Sequence, residues 1–389
     1  MKKVLVVALS LLMCCGFCLA GCTPGGQNEK KIKDDKNPTP DIYKPFWDES
    51  QMYQESVVLV KGADGLAKGE LLFKPDKIIS VTDHTLVKRY AKEEYRVEGK
   101  KLIAVQPTDM PFFTEAQMQG KDLGGTGIGT HFGKPVGGKL GDDILYTEGA
   151  GIIERQVWVT YEHSGEWNGP IPQFGGDTLK KTIDKLQTEK DLKLFLYGDS
   201  ISVGANSSGF LGISPYYDDY GTAVKKQLKY KYGGDIEYKN GSFGGWHSVD
   251  AKNNIQSKLG EFNPDLAIIA FGMNDGAHGI QPDQFKDNIL AIMQVIREKS
   301  PDCEFLLIGT ILANPLSPQD THQLQFVPAL ESIAESNPGC AVVDMSTFTQ
   351  ELYKSKKGVD ILANNINHPS DFLVRCYVMN IMTVLYENY

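Results

Sequence analysis

The second half of the chain alternates strand-like segments with amphipathic, helix-like segments, and this pattern restricts the fold more than any other feature. Apolar runs of about four to eight residues between turn signals are typical of strands in a buried sheet. Strands that alternate with helices predict a parallel sheet with helices on both faces, here over residues 176–389. The strand-like segments are LKLFLYG (192–198), DIEYKNGS (235–242), PDLAIIAFG (264–272), CEFLLIGT (303–310) and CAVVDM (340–345).

Residues 43–175 have a different pattern, in which short segments alternate apolar and polar side chains between Gly and Asp turns. Strict alternation is typical of antiparallel strands that have one face in a core and one in water. This part of the chain is therefore predicted to be a separate, jelly-roll-like β-sandwich domain. Its glycine-rich stretch at 120–143 is predicted to be a long loop or a series of tight turns.

The first residues resemble a bacterial lipoprotein signal. Two lysines precede an apolar run that is too short for a good membrane span and closes on LAGC at 19–22. This lipobox resemblance implies a signal peptide over 1–21 and a lipid on Cys22, which would anchor the protein to the outer face of the cell membrane in a bacterial envelope. The polar stretch 22–42 is predicted to be a flexible tether. The alternative is an ordinary signal peptide with chance cysteines.

Composition excludes some classes of function. The chain of 389 residues is 41% hydrophobic and 23% charged, which is typical of a soluble globular protein. Its formal charge of −9, without a basic face, argues against a nucleic-acid partner. Cys303, Cys340 and Cys376 are scattered and lack metal-ligand spacing, so buried free thiols are predicted. His247 and His278 have no cysteine or carboxylate to complete a metal set, so no metal is predicted.

Polar residues stand where the predicted parallel strands end, which is the edge at which such sheets bind ligands. Ser200 follows the first strand in YGDSISVG, Gly245 follows the second in FGGWHS, and Asn274 follows the third in FGMNDG. His368 lies in NNINHPSD, just before the last helix-like segment. Each residue alone is best explained as a turn or capping residue. Their joint placement instead predicts a site.

The blocks GDSIS, GG, GMND and NHP, in this order, resemble those of the SGNH, or GDSL, hydrolase superfamily over about 195–389. The resemblance implies a three-layer, flavodoxin-like fold, with Ser200 as nucleophile and His368 as general base. It also implies an oxyanion hole built from the backbone N–H groups of Ser200 and Gly245 and the side chain of Asn274. The serine esterase chemistry of this superfamily requires no cofactor.

The residue that would orient His368 departs from the family pattern. Members commonly carry an aspartate three residues before the histidine, where this chain has Asn365. Asn365 or a nearby carbonyl could orient the ring in a Ser–His dyad, which is the favoured interpretation. Asp371 could reach back to the ring, although it is better suited to cap the last helix. The third alternative is that activity has been lost.

Aromatic residues near the predicted site suggest the substrate. Trp246 is a candidate for stacking on a sugar ring, whereas Tyr216 and Tyr217 are as readily explained by packing. Some carbohydrate esterases of the superfamily are similar, with an N-terminal sandwich and a histidine oriented by a carbonyl. The sequence therefore predicts a serine esterase that removes acetyl or other short acyl groups from cell-surface carbohydrate. The alternatives are a lipid-directed esterase or thioesterase, and a non-catalytic glycan-binding lipoprotein on the same scaffold.

Overall fold

The structure is a computed structural model that describes residues 40–135 and 141–389. The predicted signal peptide, Cys22 and nearly all of the predicted tether lie outside the described residues. None of the helices within the described ranges is long and apolar enough to cross a membrane.

The predicted boundary near residue 175 does not appear as a division of the folded part. Residues Pro40–Tyr389 cluster into one compact unit. The division into two domains is therefore still a prediction. Residues before 175 form the N-terminal region, and residues after it form the C-terminal region.

The N-terminal region is built mainly from antiparallel sheets, as predicted. One sheet has the strand order β1-β10-β4, a second has the order β5-β6-β3-β2-β7 with a parallel β2–β7 pair, and β8 pairs with β9. The strands described there are β1 (Gln51–Val58), β2 (Val60–Lys61), β3 (Ala67–Glu70), β4 (Pro75–Thr82), β5 (Tyr95–Glu98), β6 (Lys101–Ala104), β7 (Phe113–Thr114), β8 (Gly129–His131), β9 (Ile144–Tyr146) and β10 (Gln156–His163).

The C-terminal region contains the predicted parallel sheet. Its strands are β11 (Leu192–Gly198), β12 (Ile236–Asn240), β13 (Leu266–Ala270), β14 (Glu304–Gly309) and β15 (Cys340–Asp344). They lie in the order β12-β11-β13-β14-β15, and every neighbouring pair is parallel. The chain steps from β11 to one side and then crosses to the other, so the strand order reverses at the carboxyl end of β11. Open α/β sheets bind ligands at such a point.

Helices cover both faces of this sheet, which completes three layers and confirms the predicted fold class. One short helix, α1 (Glu115–Met118), lies in the N-terminal region against β7 and β9. The helices of the C-terminal region are α2 (Lys180–Thr188), α3 (Ser200–Val203), α4 (Ser208–Leu211), α5 (Tyr220–Tyr232), α6 (Ser248–Leu259), α7 (Met273–Ala277), α8 (Pro282–Lys299), α9 (Phe326–Ser336), α10 (Met345–Leu352), α11 (Gly358–Ile361) and α12 (Asp371–Leu385). Alternation along β11 separates the two cores: Leu194 and Leu196 pack in the core that contains α5 and α12, whereas Phe195 and Tyr197 pack in the core that contains α6, α8 and α9.

The N-terminal region packs against α12, the helix that begins three residues after His368. Arg375, fully buried on α12, donates to the carbonyl oxygens of Tyr53 at 3.0 Å and Gln54 at 2.5 Å. A buried ion pair joins Lys356 to Glu55 at 2.5 Å. Breaking either contact would leave a buried charge without its partner, so these contacts hold the N-terminal region beside the segment that carries the histidine.

Candidate active site

Ser200 is the first residue of α3, directly past the carboxyl end of β11. Asp199 caps this short helix, because its Oδ1 accepts the N–H of Ile201 at 2.9 Å. The strand must end in glycine, since a Cβ at Gly198 would lie 2.5 Å from the carbonyl oxygen of Ala270. The Gly-Asp-Ser sequence therefore turns the chain sharply and leaves the Ser200 side chain partly exposed.

His368 reaches Ser200 from the loop before α12. The Asn364 side chain folds this loop, because its Oδ1 accepts the N–H groups of Ile366 at 2.9 Å and of Asn367 and His368 at 3.0 Å each. The ring Nε2 of His368 lies 2.9 Å from the Ser200 hydroxyl oxygen. The serine and histidine predicted to form the site are therefore within hydrogen-bond distance, across 168 residues of sequence.

Asn206 determines which ring nitrogen of His368 carries the proton. Its Nδ2 donates to the carbonyl oxygen of Glu148 at 2.8 Å, and a carbonyl can only accept, so the amide oxygen must face the other way. That oxygen lies 2.5 Å from Nδ1 of His368, which must then be the protonated nitrogen. Nε2 keeps its lone pair for the Ser200 proton, as a general base requires.

Asn365, the first candidate for orienting His368, serves another purpose. Its Nδ2 donates to the carbonyl oxygen of Leu145 at 2.8 Å, and its Oδ1 accepts from Asn314 at 2.7 Å. The structure places Asn206, rather than Asn365, against the histidine ring. Asn365 instead connects the histidine loop to the middle of β9 in the N-terminal region.

Asp371, the second candidate, does not contact the ring either. It is the first residue of α12, after the N-cap Ser370, and its Oδ1 accepts the N–H of Ser208 at 2.9 Å. Burial raises the pKa of the Asp371 carboxyl to about 6. The capping role predicted for Asp371 is wrong, because the Ser370 hydroxyl accepts the N–H of Leu373 and caps α12. The Asp371 carboxylate instead fixes the start of α4, and it does not contact the histidine ring.

The turn that carries Gly245, one of the predicted oxyanion donors, lies beside Ser200. A Cβ at Gly244 would stand 3.8 Å from the Ser200 Cβ, which brings the Gly-Gly turn beside the serine. Gly245 has φ 79°, a conformation that favours glycine. The Asn274 Nδ2 donates to the Trp246 carbonyl oxygen at 2.9 Å, and an amide nitrogen carries a second hydrogen that can serve an oxyanion. The three donor roles stay predictions.

A second contact holds the two donor loops together. The buried carboxylate of Asp275 accepts the N–H of Ser248 at 3.0 and 3.1 Å, which links the start of α6 to α7. Together with the Asn274–Trp246 hydrogen bond, this contact fixes Gly245 relative to the Asn274 amide. Such preorganisation allows donors to stabilise a developing charge without reorganising during the reaction.

The aromatic residue predicted beside the oxyanion glycine forms part of an exposed aromatic patch. Trp246 is half-buried, and its ring centroid lies 4.8 Å from that of Phe243, which is 50% exposed. The ammonium of Lys258 lies 4.8 Å from the Phe243 ring and 4.9 Å from the Trp246 ring. Phe243 was not predicted, although it stands two residues before Gly245 in the same turn.

The two tyrosines predicted as substrate contacts differ in their surroundings. Tyr216 is 64% exposed and has φ 60°. Tyr217 donates its hydroxyl to Gln54 at 2.6 Å, and its ring lies 5.8 Å from that of Trp158. The packing interpretation therefore fits Tyr217, because these contacts direct its side chain to the N-terminal region.

The N-terminal region also reaches the site through Glu148, which the sequence did not suggest. Its Oε2 lies 3.7 Å from Nδ1 of His368, and the side chain is 55% exposed. Burial by itself raises the pKa of the Glu148 carboxyl, but the His368 ring and the Tyr146 hydroxyl outweigh it and hold the pKa below its usual value. Glu148 is therefore ionised beside the histidine.

Among the residues that the structure describes, no group of three or more His, Cys, Asp or Glu side chains is arranged to hold a metal ion. Cys303, Cys340 and Cys376 are buried free thiols, as predicted. Burial raises the pKa of the Cys340 and Cys376 thiols to about 12, so they are poor nucleophiles at neutral pH.

Comparison with known proteins agrees with the motif assignment. Residues 196–371 match the model of the GDSL-like Lipase/Acylhydrolase family. This match confirms the predicted resemblance and, at the level of the family, the predicted ester hydrolase class. An arylesterase of Vibrio mimicus is 25% identical over 116 residues, which are 30% of this chain and 54% of that protein. The chain thus spans about half the length of this relative.

Two solved structures are similar to parts of the chain. A two-domain esterase (CEX) active on acetylated mannans is 21% identical, with a TM-score of 0.45, over 56% of this chain and 54% of that one. Axe2, an acetylxylan esterase from Geobacillus stearothermophilus, is 17% identical, with a TM-score of 0.40, over 49% of this chain and 92% of that one.

Proposed function

We propose that this chain hydrolyses carboxylic esters, with Ser200 as nucleophile and His368 as general base. Its residues 196–371 match the model of the GDSL-like Lipase/Acylhydrolase family. The observation that carries this proposal is the 2.9 Å contact between the Ser200 hydroxyl and Nε2 of His368. It is the arrangement that a serine needs to become nucleophilic, because Asn206 keeps the other ring nitrogen protonated.

The reaction follows from this arrangement in two halves. The Ser200 oxygen attacks the ester carbonyl while Nε2 of His368 takes its proton, and the N–H donors of Ser200, Gly245 and Asn274 hold the negative oxygen of the tetrahedral intermediate. His368 then gives the proton to the leaving alcohol, which departs and leaves an acyl-serine. A water molecule, deprotonated by His368, attacks the acyl-serine; the proton returns to Ser200 and the acid is released.

The proposed substrate is an acetylated or otherwise short-acylated carbohydrate. The exposed Phe243–Trp246 patch next to Gly245 offers flat apolar faces on which sugar rings stack. Polar amides stand beside His368, where Asn367 donates to Gln319 at 2.6 Å. Amides can hydrogen-bond to sugar hydroxyls, whereas a long acyl chain needs a continuous apolar trough.

Acyl chain length tests this substrate class. We expect kcat/KM for nitrophenyl acetate to exceed that for the decanoate ester by at least about tenfold, since the polar amides of Asn367 and Gln319 beside His368 offer additional methylenes little apolar surface. We also expect acetate release from at least one of a panel of acetylated polysaccharides. A preference for long acyl chains, with no acetate released from any glycan, would instead establish a lipid-directed esterase.

We further propose that a lipid on Cys22 anchors the enzyme to the outer face of a bacterial cell membrane. The support is the LAGC sequence and the polar stretch that follows it. We expect Cys22→Ala to move the full-length protein from the membrane fraction to the soluble fraction. A matched Cys18→Ala variant, altered within the same apolar run, should stay in the membrane. Membrane retention of the Cys22 variant would exclude the lipid anchor.

A further inference from the structure

The Glu148 carboxylate lies beside the catalytic histidine but comes from the N-terminal region, outside the residues that match the family. We propose that Glu148 is a positioning residue that acts through His368 and supplies the negative charge that this site lacks in the usual aspartate position. The inference rests on the proposed esterase function. It gives the N-terminal region a direct part in the chemistry of the C-terminal region.

Several hydrogen bonds hold Glu148 in place. Its Oε1 accepts from the Tyr146 hydroxyl and from the Asn364 Nδ2 at 3.4 Å, and Asn364 is the residue that folds the histidine loop. Its main-chain carbonyl accepts from Asn206 at 2.8 Å. Glu148 thus acts on the His368 ring through two groups. Its main-chain carbonyl fixes the Asn206 amide that contacts the ring, and its carboxylate Oε2 lies 3.7 Å from Nδ1 of His368.

The segment that carries Glu148 is itself fixed to the histidine loop. Asn365 donates to the carbonyl oxygen of Leu145, three residues before Glu148, at 2.8 Å. The histidine loop is therefore hydrogen-bonded to this segment at two points. Asn365 binds Leu145, and Asn364 binds Glu148. A carboxylate held at two points approaches the ring with less loss of side-chain freedom than one on an unrestrained surface loop.

The chemistry explains why a charge is useful at this position. The Asn206 oxygen is neutral, so it selects the tautomer but does little for the positive charge that His368 acquires when it takes the Ser200 proton. A carboxylate 3.7 Å from Nδ1 stabilises that charge through space. Because the Glu148 side chain is half-exposed, solvent screens the interaction, and we expect a moderate effect on the rate.

Other titratable side chains on the segments around the site make contacts of their own. On the N-terminal side His131 packs edge-on against Tyr146, with centroids 5.6 Å apart. On the other side Asp199 and Asp371 are buried and accept main-chain N–H groups, at Ile201 and Ser208. Burial raises the pKa of Asp199 to about 7 and that of Asp371 to about 6. A pH profile therefore has to be compared between variants that differ at Glu148 alone.

The test is the pH dependence of kcat/KM for Glu148→Gln, which removes the charge but keeps the main-chain carbonyl that orients Asn206. We expect a loss of about threefold to fivefold at the optimum, the scale of a half-exposed charge pair. We also expect the midpoint of the acid limb to move about half a pH unit lower, because the protonated ring loses its nearby anion. Salt at about 1 M should reduce the difference between wild type and variant.

The control is Glu154→Gln, which removes the same charge from an exposed residue in the 3₁₀ helix Ile153–Arg155. Its profile and rate should match the wild type. An unchanged acid limb in Glu148→Gln, with the wild type active and labelled at Ser200 by a fluorophosphonate, would overturn this inference alone. A wild type that neither hydrolyses esters nor reacts with the fluorophosphonate would overturn the proposed function as well.

Discussion

Replacement of Ser200 by alanine is expected to lower kcat for nitrophenyl acetate by about 10⁴-fold or more, while the fold stays intact. The hydroxyl that forms the acyl-enzyme is gone, and what remains is binding and the oxyanion donors. The side chain is partly exposed and its hydroxyl contacts His368, so its loss leaves no large buried cavity. The measurements are steady-state hydrolysis and thermal unfolding of the same preparations.

A matched serine two residues away separates chemistry from stability. Ser202 is buried, and its hydroxyl pairs with that of Tyr220 at 2.6 Å. Ser202→Ala leaves this buried hydroxyl without its partner, so we expect a lower Tm and a retained kcat. Ser200→Ala should show the opposite pattern. Turnover near the wild-type level in Ser200→Ala would remove Ser200 from the role of nucleophile.

Replacement of Asn206 by alanine is expected to lower kcat by about a hundredfold, because Nδ1 of His368 loses the acceptor that fixes the productive tautomer. The loss should be smaller than for Ser200→Ala, since the general base itself remains. The KM should change little, because Asn206 is buried behind the ring and acts through His368. The measurement is kcat and KM for a short nitrophenyl ester across pH.

Asn365→Ala is the natural control, because Asn206 and Asn365 are both buried and have nearly the same positive φ, 64° and 61°. Alanine is strained to a similar degree at both positions, so similar losses of stability are expected. Only the Asn206 variant should lose most of its kcat. A larger loss of kcat in Asn365→Ala than in Asn206→Ala would restore Asn365 as the orienting residue.

The fold and the contact between Ser200 and His368 could be predicted because each depends on a local pattern. The apolar strands of the parallel sheet end in short polar motifs, and parallel strands bring those ends to one edge. Ser200, Gly245 and Asn274 were predicted as site residues in this way, and His368 was predicted from its place before the last helix. The structure brings Ser200 and His368 within 2.9 Å of each other, and the roles of Gly245 and Asn274 stay predictions. These residues could be assigned to one edge of the sheet without knowing the structure of the loops between the strands.

The partners of His368 could not be predicted, because they depend on how distant segments meet. Asn206 is 162 residues from His368 in sequence and lies in a Gly/Ser-containing turn, where an asparagine is ordinary. Asn365 was suggested by spacing alone, but its positive φ and its hydrogen bond to Leu145 turn its amide away from the ring. The position of Asn206 six residues after Ser200 was a clue to its place near the site.

Glu148 was missed for a related reason. It lies in the region that the family motifs do not cover, after a glycine-rich stretch with no recognisable motif. Its approach to His368 depends on the packing of the N-terminal region against α12, through Arg375, and against the loop before α11, through the Lys356–Glu55 pair. Such a contact is a property of the assembled fold.

Peptide mapping after reaction with a fluorophosphonate examines the Ser200–His368 pair itself. In the folded wild-type protein we expect one adduct, on Ser200, formed at least about a hundredfold more slowly in His368→Ala and not at all in Ser200→Ala or in denatured protein. These results would mean that His368 activates the Ser200 hydroxyl in the native fold. An adduct on a different residue, or a folded wild type that does not react, would contradict the assignment of Ser200 and His368 as nucleophile and base.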